Sequence, residues 1–203
     1  MKIAFIGSHG VGKTTLCYDL AARLKRQDRA VDLVAEVARS SPLPINRETT
    51  LAAQAWILHT QIAREIAAAA QSDIVICDRS VLDNYAYLVH QAGRQPGYDA
   101  LVREWVGSYD GLFKVPITAA PSFDGKRDVS ETFQRDIDVV IDELARELGV
   151  TVHLLNAAAE RDDWIDEVLL ASGLPLHPPQ IDLFSRPEDS ASTLNSGRSP
   201  AAE

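Results

Sequence analysis

A short segment near the amino terminus combines the residue types that bind phosphate. Its sequence is Gly7-Ser8-His9-Gly10-Val11-Gly12-Lys13-Thr14. The spacing of glycine, lysine and threonine is that of a P-loop, in which backbone amides wrap around a phosphate and a following helix adds the positive end of its dipole. We therefore expect the amides of residues 10–14 to hold a triphosphate. His9 is expected only to shape the turn or to face solvent.

The side chains of this segment are expected to divide the ligand between them. Lys13 should bridge the β- and γ-phosphates, and Thr14 should offer its hydroxyl to a magnesium ion, while Thr15 is better placed for the α-phosphate. The predicted ligand is ATP with Mg²⁺. No Asn-Lys-x-Asp motif for reading guanine follows the fourth predicted strand, which disfavours a GTP-driven switch.

Two carboxylates, each with an arginine close behind, stand where predicted strands end. Asp78 is followed by Arg79, and Glu36 by Arg39. Because the carboxyl ends of parallel strands meet at one edge of a sheet, both pairs are expected beside the P-loop. Asp78 would then serve magnesium, Arg79 the transferred phosphate, and Glu36 the proton of an attacking hydroxyl. Two alternatives stay open: Asp78 as a helix cap, and Glu36 with Arg39 as a solvated pair.

A polar, glycine-containing segment between a predicted strand and an amphipathic helix is a candidate lid. It contains Asp124-Gly125-Lys126-Arg127, and Arg135 follows on the helix. Such a segment can close over phosphate and exclude water, with Arg127 and Arg135 meeting the charge that develops during transfer. The alternative is that both arginines are simply solvated.

The predicted acceptor pocket draws on one face of a long helix. That face carries Gln54, Leu58, Gln61 and Glu65. The amides of Gln54 and Gln61 could bind a heterocyclic base through paired hydrogen bonds. The full set of expected substrate contacts is Glu36, Arg39, Gln54, Gln61 and Arg79.

The hydrophobic pattern predicts a scaffold that brings these residues together. Short apolar runs alternate with segments of helical periodicity, as in a parallel sheet covered by helices on both faces. Strands are predicted at 3–6, 31–35, 73–77, 111–115 and 150–155, and helices at 13–25, 49–70, 81–91, 133–148 and 164–170. The predicted fold class is α/β, a P-loop NTPase fold with a parallel five-stranded sheet. One domain is expected over residues 1–173, followed by a mobile Pro- and Ser-rich tail over 174–203.

Charge and cysteine content bear on partners and location. Lys and Arg number 20 against 29 Asp and Glu, giving a formal net charge of −9. Without a basic cluster, neither nucleic acid nor a membrane surface is an expected partner, and no apolar run is long enough to span a bilayer. Cys17 and Cys77 lie far apart, which fits a reducing compartment. We expect a cytoplasmic protein, and a homodimer stays open.

Four segments together resemble the P-loop nucleoside and nucleotide kinases. They are Gly7 to Thr14, Glu36 to Arg39, Asp78 to Ser80, and Asp124 to Arg127 followed by Arg135. Within that family the sequence is most similar to the nicotinamide-riboside-kinase-like group of AAA-type ATPase domains, over roughly residues 1 to 171. The resemblance implies that Glu36 handles the acceptor and that Asp78 with Arg79 serves magnesium and the transferred phosphate. It also implies that Arg127 and Arg135 reach over the triphosphate.

The sequence departs from the kinase pattern in lacking a clear aromatic base sandwich and a lid dense in arginines, so the acceptor stays open. The predicted function is transfer of the γ-phosphate of ATP to a nucleoside, nucleotide or similar hydroxyl compound. The alternative is a regulatory or partner-coupled ATPase without a small-molecule acceptor. A closed pocket lined by Glu36, Arg39, Arg79 and the Gln54 helix would distinguish the two.

Overall fold

A parallel sheet organises the fold in the computed structural model, which describes residues 1–45, 48–120 and 130–178. Within these residues five strands pair in the order β2-β3-β1-β4-β5, all parallel. The strands are β1 (Lys2–Ile6), β2 (Val31–Val34), β3 (Ile74–Asp78), β4 (Gly111–Lys114) and β5 (His153–Leu154). The helices are α1 (Lys13–Lys25), α2 (Leu51–Ala69), α3 (Val81–Ala92), α4 (Pro96–Val106), α5 (Glu131–Leu148) and α6 (Arg161–Ala171), and a short 3-10 helix spans Val37–Ser40. The predicted α/β fold class and five-stranded parallel sheet are confirmed.

The central strands β1 and β3 separate two hydrophobic cores. Successive side chains of a strand point to opposite faces, so an uninterrupted apolar run is buried on both sides. Ile3 and Phe5 of β1 belong to one core, and Ala4 and Ile6 belong to the other. Because β1 lies directly between β3 and β4, the loop that follows β1 is placed at the centre of the sheet edge.

Helices cover both faces of the sheet, each through an apolar stripe. Helices α1 and α6 pack on the face of Ile3 and Phe5, whereas α2, α3, α4 and α5 pack on the opposite face. On α1 the buried residues recur at helical spacing, namely Leu16, Cys17, Leu20 and Leu24. The helix begins directly at the end of the glycine-rich segment, so its amino terminus faces the site described below.

Two elements differ from the sequence prediction. Helix α4 was not predicted, because Pro96-Gly97 reads as a turn and only Val102 and Val106 of this helix are buried. Strand β5 was predicted over six positions but pairs only through His153 and Leu154, at the edge of the sheet next to β4. Val150 and Val152 pack against the core that contains α5, so their apolar character reflects burial there and not pairing with β4.

The first residues of the predicted tail contact the domain. Leu174 is 6% exposed and packs in the same core as α1 and α6. Arg23 of α1 donates to the carbonyl oxygen of Leu176 at 3.0 Å, and Gln27 donates to that of Pro175 at 3.0 Å. Residues 174–176 thus contact the domain, residues 179–203 lie outside the described part of the chain, and the domain boundary stays a prediction. Among the described helices, none is long and apolar enough to cross a membrane.

Candidate active site

The glycine-rich segment forms the loop between β1 and α1. Gly7, Gly10 and Gly12 have φ values of 130°, 83° and 94°, in the region that favours glycine. Position 7 also has no room for a side chain, because a Cβ on Gly7 would lie 3.0 Å from the carbonyl oxygen of Val115. Gly12 caps α1 without a side-chain hydrogen bond, which leaves the first amides of that helix available to an anion.

Lys13 is buried inside this loop. Its Nζ donates to the carbonyl oxygens of Gly7 at 2.8 Å and Ser8 at 2.5 Å. Burial, followed by the nearby positive charge of Arg79, lowers the pKa of Lys13 from 10.5 to about 8. A triphosphate in the loop would supply the negative charge that keeps this ammonium protonated.

Asp78 ends β3 and faces the loop from the neighbouring strand, since it pairs in register with Phe5 of β1. The hydroxyl of Thr14 donates to Asp78 Oδ2 at 2.6 Å, while Oδ1 is buried without a hydrogen-bond partner among the described residues. Burial raises the pKa of Asp78, against the opposing effect of Lys13. A carboxylate and a hydroxyl oxygen are ligands that suit Mg²⁺, so this pair fits the expected ion. In the described ranges no group of three or more His, Cys, Asp or Glu is placed to hold a metal, so the ion would rest on this pair and on the phosphates.

Arg79 follows directly and has an unusual backbone. Its φ of 85° is rare for a residue with a side chain, and holding such a conformation costs about 1–3 kcal/mol. The guanidinium is buried between two carboxylates: Nε donates to Glu36 Oε1 at 2.9 Å and Nη1 to Asp83 Oδ2 at 3.3 Å. It also lies 4.9 Å from the ring centroid of Tyr87, whose hydroxyl accepts from Nη2 at 3.4 Å. The side chain is thus fixed in one orientation.

Glu36 lies just after β2 and bonds to both arginines. Its Oε2 accepts from Arg39 Nε at 2.7 Å, in addition to the contact with Arg79. Burial alone would raise the pKa of Glu36, but the charges of Arg79 and Lys13, with hydrogen bonds from Arg39 and Arg79, outweigh it and lower the pKa to about 2. The carboxylate is therefore ionised at every physiological pH. Only 15% of the Glu36 side chain is exposed, and Glu36 also pairs with the buried Arg79. The alternative of a solvated pair between Glu36 and Arg39 therefore does not describe its position.

Ser80 and Asp83 anchor the start of α3, and Asp83 is a site residue that the sequence pattern alone does not reveal. The hydroxyl of Ser80 accepts from the amide of Leu82 at 3.0 Å, and Asp83 Oδ1 accepts from the amide of Ser80. Ser80 is therefore the N-cap, so the alternative role of Asp78 as a cap does not apply. The Ser-x-x-Asp spacing was the available signal for this capping box, but the contact of Asp83 with Arg79 depends on tertiary structure.

Two adjoining cavities open at this edge of the sheet. The first, of about 150 Å³, follows the phosphate-binding loop and is lined by His9, Gly10, Gly12, Lys13, Thr14, Thr15, Glu36, Asp78 and Arg79. The second, of about 60 Å³, is lined by His9, Glu36, Ala38, Arg39, Ile45, Gln54, Ile57, Arg79, Asn84 and Tyr87. His9, Glu36 and Arg79 line both, so the cavities meet at these three side chains. The sequence predicts only that His9 shapes the turn or faces solvent, whereas its side chain lines both cavities.

Among the described residues, three predicted site residues line neither cavity, namely Val11, Gln61 and Arg135. Gln61 lines neither and is fully buried behind them, where its amide bonds to Glu65 and to the carbonyl oxygen of Arg79. Arg135 also lines neither, because its side chain is 71% exposed and pairs with Glu131 at 3.1 Å on the surface of α5. Arg127 lies outside the described residues.

Most of this chain is similar to proteins that are already known. A family model described as an AAA domain matches residues 2–162. The structure of thymidylate kinase from Ehrlichia chaffeensis is similar with a TM-score of 0.63 at 20% sequence identity, over 84% of this chain and 97% of that chain. Two structures of deoxyadenosine kinase from M. mycoides, one with dATP and one with the products dCMP and dCDP, give TM-scores of 0.58 and 0.56 at 16% and 14% identity, over the same shares. A search of curated proteins found no match.

Proposed function

The chain belongs to the AAA domain family and has the fold of P-loop nucleoside and nucleotide kinases, and from this premise we propose that it transfers the γ-phosphate of ATP to a hydroxyl group of a nucleoside-like small molecule. One observation carries the proposal: a second cavity adjoins the phosphate-binding one and shares Glu36 and Arg79 with it. An ATPase that transfers phosphate only to water needs no such second cavity.

The first cavity would take the triphosphate. The amides of residues 10–14 would surround the phosphates. Lys13, which donates to the carbonyl oxygens of Gly7 and Ser8, would turn towards the β- and γ-phosphates. Thr14 and Asp78 would hold Mg²⁺, which when bound neutralises charge on the phosphate oxygens. The orphaned Oδ1 of Asp78 supports this assignment, because a buried carboxylate oxygen without a partner is costly.

Transfer would take place where the two cavities meet. The acceptor oxygen bonds to the γ-phosphorus while the bond from that phosphorus to the β–γ bridging oxygen breaks, and ADP leaves. The hydroxyl proton passes to Glu36 and then to water. Because the pKa of Glu36 is only about 2, it orients the hydroxyl first and receives the proton late, as suits the loose transition state of phosphoryl transfer. The positive charge of Arg79 stabilises the phosphoryl group while it is transferred.

The charges around the second cavity favour an uncharged acceptor hydroxyl over the phosphate of a nucleotide. Arg79 is paired with Glu36 and Asp83, and Arg39 is paired with Glu36. The lining holds Arg39, Arg79 and Glu36, and Asp83 lies behind it. With Asp83 counted, two arginines face two carboxylates, so each guanidinium already has a carboxylate partner that an acceptor phosphate would have to displace. Gln54 and Asn84 add amide groups that suit the edge of a heterocyclic base, and Tyr87 adds an aromatic ring.

The test is to incubate the protein with γ-labelled ATP, magnesium and pooled nucleosides, with the matching 5′-monophosphates in a parallel reaction. The proposal expects a labelled nucleoside monophosphate in the first reaction and little label on any compound in the second. Labelled diphosphates only would shift the acceptor class to nucleotides. Release of labelled inorganic phosphate alone, at the same rate with and without acceptors, would refute the kinase in favour of an ATPase.

We also propose a cytoplasmic location. Cys17 and Cys77 are both buried free thiols, and buried unpaired cysteines suit a reducing compartment.

A further inference from the structure

A buried hydrogen-bond network lies behind the active site, centred on Glu65 of α2. The carboxylate accepts from four donors: Lys2 Nζ at 2.8 Å, Trp105 Nε1 at 2.8 Å, Tyr109 Oη at 2.6 Å and Gln61 Nε2 at 2.9 Å. A carboxylate offers about four lone-pair positions, as many as these donors occupy. We call these five residues the Glu65 network. No part of the proposed phosphate transfer involves this network directly.

Glu65 determines which way the amide of Gln61 points. A carboxylate accepts hydrogen bonds and donates none, so Gln61 must turn its NH₂ group, and not its oxygen, towards Glu65. The same NH₂ group then donates to the carbonyl oxygen of Arg79 at 3.1 Å. The oxygen of Gln61 correspondingly faces a donor, Asn84 Nδ2, at 3.5 Å.

The carbonyl oxygen of Arg79 is the point at which this network meets the active site. Arg79 has a φ of 85°, and its amide donates to the carbonyl oxygen of Phe5 at 3.1 Å. The backbone is thus held on its amide side by β1 and on its carbonyl side by Gln61. A left-handed backbone at a residue with a side chain persists only when its surroundings hold it from several sides.

We propose that Gln61, oriented by Glu65, is a positioning residue that keeps the backbone of Arg79 left-handed and thereby aims its guanidinium between Glu36 and Asp83. The consequence for catalysis rests on the proposed kinase function, since Arg79 stands where the two cavities meet. The backbone consequence does not depend on that function. Gln61 therefore contributes to the site from behind it, without touching the acceptor.

The experiment compares two variants that each remove one donor from Glu65. Gln61→Met has a similar length and no donor, so it also leaves the carbonyl oxygen of Arg79 without its partner. Trp105→Phe removes the indole donor on the other oxygen of Glu65 and keeps the Gln61 side chain that binds the carbonyl oxygen of Arg79. Should Gln61→Met fail to fold, Gln61→Asn replaces it, because an amide shorter by one methylene cannot reach both Glu65 and Arg79.

The first readout is steady-state kinetics with ATP and the acceptor found above. For Gln61→Met we expect kcat to fall by roughly tenfold to a hundredfold while KM for ATP stays within about twofold, because misplaced catalytic groups slow chemistry more than binding. Trp105→Phe should lower the unfolding temperature but leave kcat within about twofold. Equal losses of kcat in both variants would overturn the proposal, since they would show only a general effect of the network on stability.

The second readout needs no activity. The Nε–H signal of Arg79, assigned in NMR spectra through its loss in Arg79→Lys, reports the ion pair with Glu36. We expect this signal to shift and to exchange faster with water in Gln61→Met, and to stay in place in Trp105→Phe. An unchanged signal in folded Gln61→Met would refute the positioning role. If the wild type phosphorylates no acceptor, the kinase proposal fails and the NMR comparison still decides this one.

Discussion

Two charged residues beside the phosphate-binding cavity have lowered pKa values with different consequences. Burial and the charge of Arg79 bring the pKa of Lys13 to about 8, so part of its population loses the proton at mildly alkaline pH. For Glu36, positive neighbours overcome the effect of burial and bring the pKa to about 2, so it stays ionised. Above neutral pH, any change in nucleotide binding that arises from these two residues should therefore come from Lys13.

We predict that affinity for ATP with magnesium falls by about tenfold per pH unit as the pH rises above about 8. Bound phosphates favour the ammonium form, so the pKa of Lys13 is higher in the complex than in the free protein. Between these two pKa values the complex holds a proton that the free protein lacks, so binding takes up a proton. Calorimetry in buffers with different ionisation enthalpies measures both quantities.

Lys13→Ala is the control for this pH dependence. The variant should bind ATP more weakly at every pH, take up no proton in this range and keep the fold, because its side chain projects into the cavity. An affinity of the wild type that stays constant between pH 7 and pH 9.5 would contradict the assignment of Lys13.

The two carboxylates should separate transfer from hydrolysis. Glu36→Gln is expected to slow transfer to the acceptor by roughly a hundredfold or more while leaving ATP binding and slow background hydrolysis nearly intact. Asp78→Asn should depress both reactions, because both need the metal. Rates of both reactions are measured in each variant, with thermal unfolding as a check on the fold. Loss of hydrolysis in Glu36→Gln without any detectable acceptor would instead indicate a water-activating role and an ATPase.

At the scale of elements, the start of α3 supports both stability and the site. Ser80 caps this helix and binds Asp83, which in turn contacts Arg79. Thr50 caps α2 by accepting from Ala53 at 3.2 Å. We predict that Ser80→Ala and Thr50→Ala each cost about 1 kcal/mol of unfolding free energy.

Only Ser80→Ala should also slow transfer, because it removes a donor from the carboxylate that holds Arg79. Denaturant unfolding and steady-state kinetics of the two variants, measured side by side, check this pair of expectations. If both caps affect kcat alike, the start of α3 has no special role in the site.

The candidate lid yields a contrast between its two arginines. Because the guanidinium of Arg135 is solvent-screened and paired with Glu131, Arg135→Ala should keep kcat within about twofold, as exposed ion pairs contribute little. Arg127 is proposed as a lid residue on the kinase resemblance alone, and Arg127→Ala should lower kcat by on the order of a thousandfold with little change in ATP affinity. Normal turnover in Arg127→Ala would remove this segment from the mechanism.

Elements with strong local signals were predictable from the sequence. Helix α1 begins and ends at Lys13 and Lys25 as predicted, because a glycine-rich loop precedes an unbroken apolar stripe. Helix α4 was missed because its few buried residues follow a Pro-Gly pair, and its position depends on packing against α3. Hydrophobic periodicity indicates a helix only when buried residues form an amphipathic stripe. A short helix with two buried residues has too few of them to give this signal.

Site residues that directly follow strands were predictable from the sequence. Whether a helix residue reaches the cavity or lies buried behind its wall was not. Asp78, Arg79 and Glu36 meet at the sheet edge because parallel strands end together. Gln54 and Gln61 lie on the same helix face as predicted, but only Gln54 reaches the cavity. The distance of a side chain from the cavity depends on how several helices pack together. The sequence pattern of a single helix carries no information about that packing.

For the whole molecule, the domain boundary can be located by truncation. Leu174 packs in the core, and Arg23 and Gln27 bind the carbonyl oxygens that follow it. A chain that ends after residue 173 should therefore lose about 2–4 kcal/mol of unfolding free energy. The loss comes from one buried leucine, from three side-chain hydrogen bonds that Arg23 and Gln27 donate, and from the bond between the Leu174 amide and the carbonyl oxygen of Leu169. A chain that ends after residue 178 should unfold like the full chain, because the Pro- and Ser-rich composition of 179–203 offers little to bury.

Denaturant unfolding of the two truncated chains measures this difference, and Leu174→Ala in the full chain is its matched control. That substitution deletes most of the buried side chain while keeping every later residue, so it should account for a large part of the loss, about 2 kcal/mol or more. Equal stability of all these proteins would mean that the domain ends at residue 173. A loss on removing 179–203 alone would mean instead that the final residues pack on the domain, contrary to what their composition predicts.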